Sequence, residues 1–140
     1  EAKVTTPITS AIKALKVLDI NKISIFTPYT KTINNSVVNY FKKENIIINS
    51  LTYLDIASDL DIGKVDENYL FEVLSKIDLE DSDALFISCT ALPALSIIDK
   101  LEKKIKKIVL SSNQVLIWDT LKEINYKKKI KGYGRLFMEL

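Results

Sequence analysis

At 140 residues, 47% hydrophobic and 27% charged, the chain is long enough for one domain with its own core, and its mix excludes a disordered polymer. A formal charge of +2 with no histidine excludes a broadly basic nucleic-acid surface, Ser-His-Asp and Cys-His catalysis, and histidine-ligated zinc. One cysteine excludes an internal disulfide framework and makes a reducing cytoplasm the expected compartment, and no apolar run approaches the ~20 residues of a membrane helix.

The elements alternate regularly along the chain. Ile8, Ile12, Leu15 and Leu18 fall on one helical face, with Thr6 placed to cap the helix and Pro7 at its first position. Residues 22–26 (KISIF) read as a first strand, ending in Thr27-Pro28-Tyr29-Thr30. Over 31–43, Ile33, Val37, Val38 and Phe41 return to helical spacing, and 46–54, rich in β-branched and aromatic residues, reads as a second strand. A polar loop over 55–64 leads to a helix over 66–77 capped by Asp66. Residues 83–88 (DALFIS) are a nearly continuous apolar run, the mark of a strand covered on both faces. Cys89-Thr90-Ala91-Leu92-Pro93 follows it, and the next helix is predicted to begin here, with Pro93 in its first turn, and to reach about residue 104. A fourth strand is predicted over 107–110, and Ser111-Ser112-Asn113-Gln114 caps a last helix running to about 124.

Strands separated by helices of about three turns define βαβ units and a parallel sheet. Four such strands most simply order as 2-1-3-4, a flavodoxin-like α/β arrangement whose switch point lies between the first and third strands. Ligands bind outside the carboxyl ends of strands at that crevice, so Tyr29 and Cys89 are expected to face one another across it. A doubly wound domain usually opens with a strand, whereas this chain opens with a helix and without an initiator methionine. The expectation is a chain cut within a larger βα repeat.

Few residue types here can carry chemistry. Only three glycines occur (Gly63, Gly132 and Gly134), and none opens a dinucleotide or Walker loop. Cys89, between a strand end and an expected helix start, is placed where unpaired N–H groups and the helix dipole favour a thiolate or bind an anion. A lone cysteine is also commonly a small buried hydrophobe. Tyr29 offers a phenol at a loop, able to hydrogen-bond a carboxylate or simply to pack. Asp55, Asp59 and Asp61 cluster after the second strand but lack the glycine and terminal glutamate of a calcium loop. The lysine runs (Lys103, Lys104, Lys106 and Lys107; Lys127 to Lys129 and Lys131) read as solvated surface, the first at a helix end where cations offset the dipole.

Four segments in order and spacing resemble one known group. Thr27-Pro28-Tyr29-Thr30, Phe86-Ile87-Ser88-Cys89-Thr90, Ser111-Ser112-Asn113-Gln114 with Trp118, and Gly132-Tyr133-Gly134-Arg135-Leu136 resemble the aspartate/glutamate racemase superfamily. The similar branch contains maleate cis-trans isomerase, arylmalonate decarboxylase and the ectoine-utilisation protein A. The resemblance implies one half of a pseudo-symmetric two-domain fold, with the active site between the halves. Residues 1–20 would be the connecting helix, 21–126 the α/β domain carrying the second catalytic cysteine, and 127–140 a C-terminal tail.

By the same resemblance Cys89 is the catalytic cysteine, Tyr29 hydrogen-bonds a substrate carboxylate, and the N–H groups of Cys89 and Thr90 complete the carboxylate cradle. Asp59 falls where maleate isomerases carry a substrate-binding asparagine. A carboxylate there repels a second substrate carboxylate unless protonated or bridged, and fits a substrate with a donor at that end. The implied activity is a cofactor-independent isomerase or racemase acting on a small carboxylate or dicarboxylate, with no metal. Its partners would be that substrate and an N-terminal half, without which these residues are expected to be inactive; an uncovered cleft face would favour a homo-oligomer. Two alternatives stand beside it. One is a decarboxylase of the arylmalonate type, against which Thr90-Ala91-Leu92-Pro93 replaces the glycine-rich stretch that follows the matching cysteine. The other is a non-catalytic flavodoxin-like module, although the acidic pair of a phosphoacceptor receiver is absent from the strand ends.

Overall fold

The computed structural model describes residues 3–79 and 81–140. Four parallel strands, β1 (Lys22–Thr27), β2 (Ile47–Tyr53), β3 (Ala84–Ile87) and β4 (Ile108–Ser111), order as β2-β1-β3-β4, the order expected from the sequence. The helices are α1 (Pro7–Val17), α2 (Lys31–Lys43), α3 (Asp59–Ile62), α4 (Glu67–Leu74), α5 (Ile98–Ile105) and α6 (Ser112–Glu123). Short 3-10 turns lie at Leu95–Ile97 and Arg135–Glu139. No helix of the described residues is long and apolar enough to cross a membrane.

Side-chain alternation along the strands divides the core into two layers. Ile23, Ile25, Phe86 and Leu110 point to one face and pack with Leu15 of α1, Phe41 of α2, and Val115 and Trp118 of α6. Phe26, Leu85, Ile87 and Val109 point to the other and meet Ile62, Leu70, Leu74 and Leu101 of α3, α4 and α5. All four residues of β3 are buried, as a strand covered by helices on both faces must be. Edge strand β2 mixes exposed and half-buried residues and carries a bulge: Ile23 pairs with Ile48, but Ser24 pairs with Ser50, leaving Asn49 as the extra residue.

Local sequence chemistry fixes most boundaries. Thr6 and Thr9 close a reciprocal capping box on α1 behind Pro7, and Ser111 and Gln114 do the same on α6. Asp66 caps α4 by accepting the Tyr69 N–H at 2.9 Å. Two expectations are corrected. The 55–64 segment is not all loop, because Ser58 to Gly63 closes one helical turn, α3, that buries Ile62. The helix after Cys89 begins later than its sequence implies: residues 89–94 are irregular, the 3-10 turn starts at Leu95, and α5 starts at Ile98. Pro93 therefore precedes the helical segment instead of opening it, since Ala91 to Ala94 turn the chain first and bury Leu92 and Ala94 under α5.

Residues on either side of the central α/β unit pack into the same core. Asp119 of α6, 3% exposed, accepts from Thr5 Oγ1, from Ser10 Oγ at 2.9 Å and from Lys13 Nζ at 2.9 Å, locking α1 to α6. At the other end, Leu136 and Phe137 are buried against that layer. Gln114 Nε2 donates to Tyr133 O at 2.7 Å, and the Glu102 carboxylate accepts from Val109 N at 3.0 Å and Arg135 N at 2.9 Å. Gly134 sits between these bonds at φ +87°, where an added Cβ would stand 2.5 Å from Ile98 Cγ2, so glycine alone fits. Burial raises the Glu102 carboxyl above its ordinary value despite the two backbone donors.

Burial pushes the Asp119 carboxyl upward, but Lys13, Thr5 and Ser10 outweigh it and hold it below its ordinary value. A depressed folded-state value means stability that is complete above the unfolded carboxylate range, near ~3.9, and is lost as pH falls through the folded value. Because Lys13 is half-exposed and can return to water, removing its partner costs about 1–3 kcal/mol and not the larger penalty of a stranded buried charge. Asp119→Asn should lower the free energy of unfolding by that amount in urea denaturation at pH 7, and its difference from wild type should narrow steadily below pH ~4.

Candidate active site

The crevice forms where β1 and β3, adjacent in the sheet, release their chains in the same direction. Ser88 N donates to Phe26 O at 2.8 Å, so the two strands stay paired up to the last residue before Cys89. Beyond that point the chains diverge around a cleft of about 310 Å³. Its polar wall is Tyr29, Ser88, Cys89, Thr90 and Ser112; Ile8, Ile33, Val37 and Phe86 supply the apolar one. None of the residues lining it is charged.

Tyr29 is held by a buried amide. Thr27 Oγ1 donates to Asn34 Oδ1, Asn34 Nδ2 donates to Tyr29 O at 3.2 Å, and the Tyr29 N–H reaches Thr27 Oγ1 at 3.3 Å. Thr27 and Asn34 are both fully buried, so the β1–α2 loop cannot swing without leaving polar groups unpaired. Burial raises the phenol well above its ordinary value, and hydrogen bonding to Cys89 and the charge of Cys89 add to it, with Ser88 acting in the opposite sense. The phenol therefore stays protonated throughout the neutral range, and it lines the same cleft as the cysteine.

Cys89 adopts φ +106°, in the half of conformational space that β-carbon-bearing residues avoid. Two bonds from α6 hold this turn: the Cys89 N–H donates to Ser112 Oγ at 3.0 Å, and Asn113 Nδ2 donates to Thr90 O at 3.0 Å. The helix end beside the cysteine is thus that of α6, not of the helix following it in sequence. The Cys89 N–H, expected to join a carboxylate cradle directly, is already satisfied by Ser112.

The structure brings Tyr29, Cys89 and Thr90 together around one cleft, with Cys89 7% exposed and Thr90 open to solvent. Asp59 does not line that cleft; it is the exposed first residue of α3, near enough for its charge to raise the Tyr29 phenol. Sequence reasoning missed Asn34, Ser112 and Asn113 as parts of the site. Asn34 stands on the helical face shared with Val37 and Val38, where a polar residue at a core-facing position was the available signal. Ser112 and Asn113 lay within a segment already accounted for by helix capping.

Residues 2–137 match the arylmalonate decarboxylase family. A maleate isomerase from Geobacillus stearothermophilus is 29% identical over 126 residues, covering 89% of this chain and 50% of that protein. An arylmalonate decarboxylase from Bordetella bronchiseptica is 26% identical over 138 residues, covering 96% and 58%. The crystal structure of a maleate isomerase from Pseudomonas putida S16 with maleate superposes with a TM-score of 0.90 at 23% identity, over 94% of this chain and 53% of that one, a likeness of fold. The chain spans about half the length of the curated relatives it matches.

Strain at Cys89 is measurable without any ligand. Replacing the side chain by glycine removes the clash of a β-carbon at positive φ, whereas alanine keeps it. Cys89→Gly should therefore be more stable than Cys89→Ala by about 1 kcal/mol in urea denaturation. Equal midpoints would show that the left-handed turn carries no strain.

Proposed function

The chain belongs to the arylmalonate decarboxylase family, and from that premise and the geometry of the cleft we propose that it is the cysteine-bearing half of a cofactor-independent isomerase or racemase acting on a small carboxylate. The single observation that carries this reading is the meeting of Tyr29 and Cys89 in one uncharged cleft at the β1/β3 switch point. A thiolate at this position can remove a proton α to a carboxylate, which needs a base on one face, an acid on the other and donors for the enediolate that forms. It can equally add to the carbon–carbon double bond of an unsaturated dicarboxylate. The carbanion so formed rotates about what is now a single bond and expels the thiolate to give the other geometric isomer. In both cases Tyr29, kept protonated, donates to the carboxylate oxygen on which charge accumulates.

The acid or base for the opposite face is supplied in this reading by a second half, which agrees with a chain about half the length of its relatives. Asp59 stands outside the cleft, yet its charge reaches Tyr29, so in this reading it disfavours a second anionic group on that side and favours an amino or hydroxyl donor. Maleate is accordingly expected to be a poorer ligand than a monocarboxylate carrying such a donor. The metal-free decarboxylase remains the second reading, favoured by the apolar wall of Ile8, Ile33, Val37 and Phe86, which accommodates a non-polar substituent.

Alkylation of Cys89 by iodoacetamide, followed by mass spectrometry, tests the proposal on the chain as it stands. The folded protein should react, and millimolar maleate or alanine should slow the reaction several-fold. Tyr29→Phe should raise the half-protecting concentration about tenfold, the value of one hydrogen bond to a charged group. A thiol that reacts only in denaturant, or at one rate with and without carboxylates, would remove the reading.

A further inference from the structure

Ser112 is the first residue of α6, 4% exposed, and it lines the same cleft as Cys89 and Tyr29. A hydroxyl carries one proton and two lone pairs. The Cys89 N–H engages a lone pair at 3.0 Å, and among the described residues no acceptor takes the Ser112 proton. This is not the residue that caps the helix, a task performed by Ser111 with Gln114, so helix capping does not account for the Ser112 hydroxyl.

We propose that Ser112 is a binding residue that donates its hydroxyl proton to the substrate carboxylate, passing the polarity of the Cys89 N–H into the cleft. The inference rests on the reading that the cleft takes a carboxylate. With no lysine or arginine lining it, an anion there must be met by neutral donors: the Tyr29 phenol and the hydroxyls of Ser88, Thr90 and Ser112 line the cleft, and of these hydroxyls Ser112 is the one already polarised by the Cys89 N–H. Bonds in series strengthen one another: an oxygen that accepts from a backbone N–H becomes a better O–H donor. Burial of Ser112 adds to this, because a hydrogen bond made away from water is weakly screened. The arrangement also joins carboxylate binding to the cysteine's backbone, since one oxygen would touch both.

The test compares Ser112→Ala, Ser112→Thr and Ser112→Val in the Cys89 alkylation assay, with maleate and phenylacetate as probes and circular dichroism to confirm folding. Threonine and valine share a shape and differ in the hydroxyl, so the pair separates donation from packing even if the alanine variant is unstable. Ser112→Ala and Ser112→Val should raise the half-protecting concentration about tenfold or more, and Ser112→Thr should restore it to near wild type. If Ser112 only clamps the loop, the variants will change the alkylation rate without ligand and leave the half-protecting concentration unchanged, which overturns the inference alone. Absence of protection by either probe in the wild-type chain removes the carboxylate reading and this inference with it.

Discussion

Parallel pairing of β1 with β3, from Ile23 opposite Ala84 to Phe26 opposite Ile87, is the constraint on which the candidate site depends. It brings two loops that are distant in sequence to the same edge of the sheet and starts them in the same direction. Because β2 lies on the far side of β1 and β4 on the far side of β3, the helices leaving these two strands pack on opposite faces, and a crevice opens between them. Neither Tyr29 nor Cys89 has to be brought to the other by a dedicated interaction. The order of the strands does it.

What the strand order does not provide is precision, and the rest of the chain supplies that through α6. Its first turn holds the Cys89 N–H and the Thr90 carbonyl; its middle is fastened to α1 through Asp119; Gln114, the partner of Ser111 in its capping box, is tied to the C-terminal segment at Tyr133. A strained backbone at a functional position persists only where its surroundings over-determine it. The three attachments of α6 are that over-determination, and two of them involve residues outside the central α/β unit. Segments that read as a connecting helix and a tail therefore bear on the geometry of the cysteine.

The sheet order, the helix faces and the convergence of Tyr29 with Cys89 were legible in the sequence because each is written in a periodicity or a boundary signal. DALFIS reads as a strand buried on both faces, and Thr6-Pro7, Asp66 and Ser111 carry helix-start signals, all of which the structure uses. The start of α5 was misread because Pro93 resembles a first-turn proline, while Ala91 to Ala94 spend four more residues turning the chain. The α3 turn was hidden in a polar stretch whose single buried residue, Ile62, gives no period. Asn34 and Ser112 were unreadable for another reason. Their roles lie in bonds to residues brought close only by folding, and no local pattern distinguishes a serine that begins a helix from one that also holds a distant peptide group.

The two sheet margins handle their open backbone differently. At β4, the Val109 N–H is taken by the Glu102 carboxylate of α5, which the Arg135 N–H also holds, so a side chain stands there instead of a strand. At β2 the strand is uncovered and uncharged, but the extra residue at Asn49 breaks the even spacing that an incoming strand would need. A foreign strand thus finds one margin occupied and the other out of register. Growth of the sheet by addition of further chains is disfavoured at both margins, by means that leave the cleft untouched.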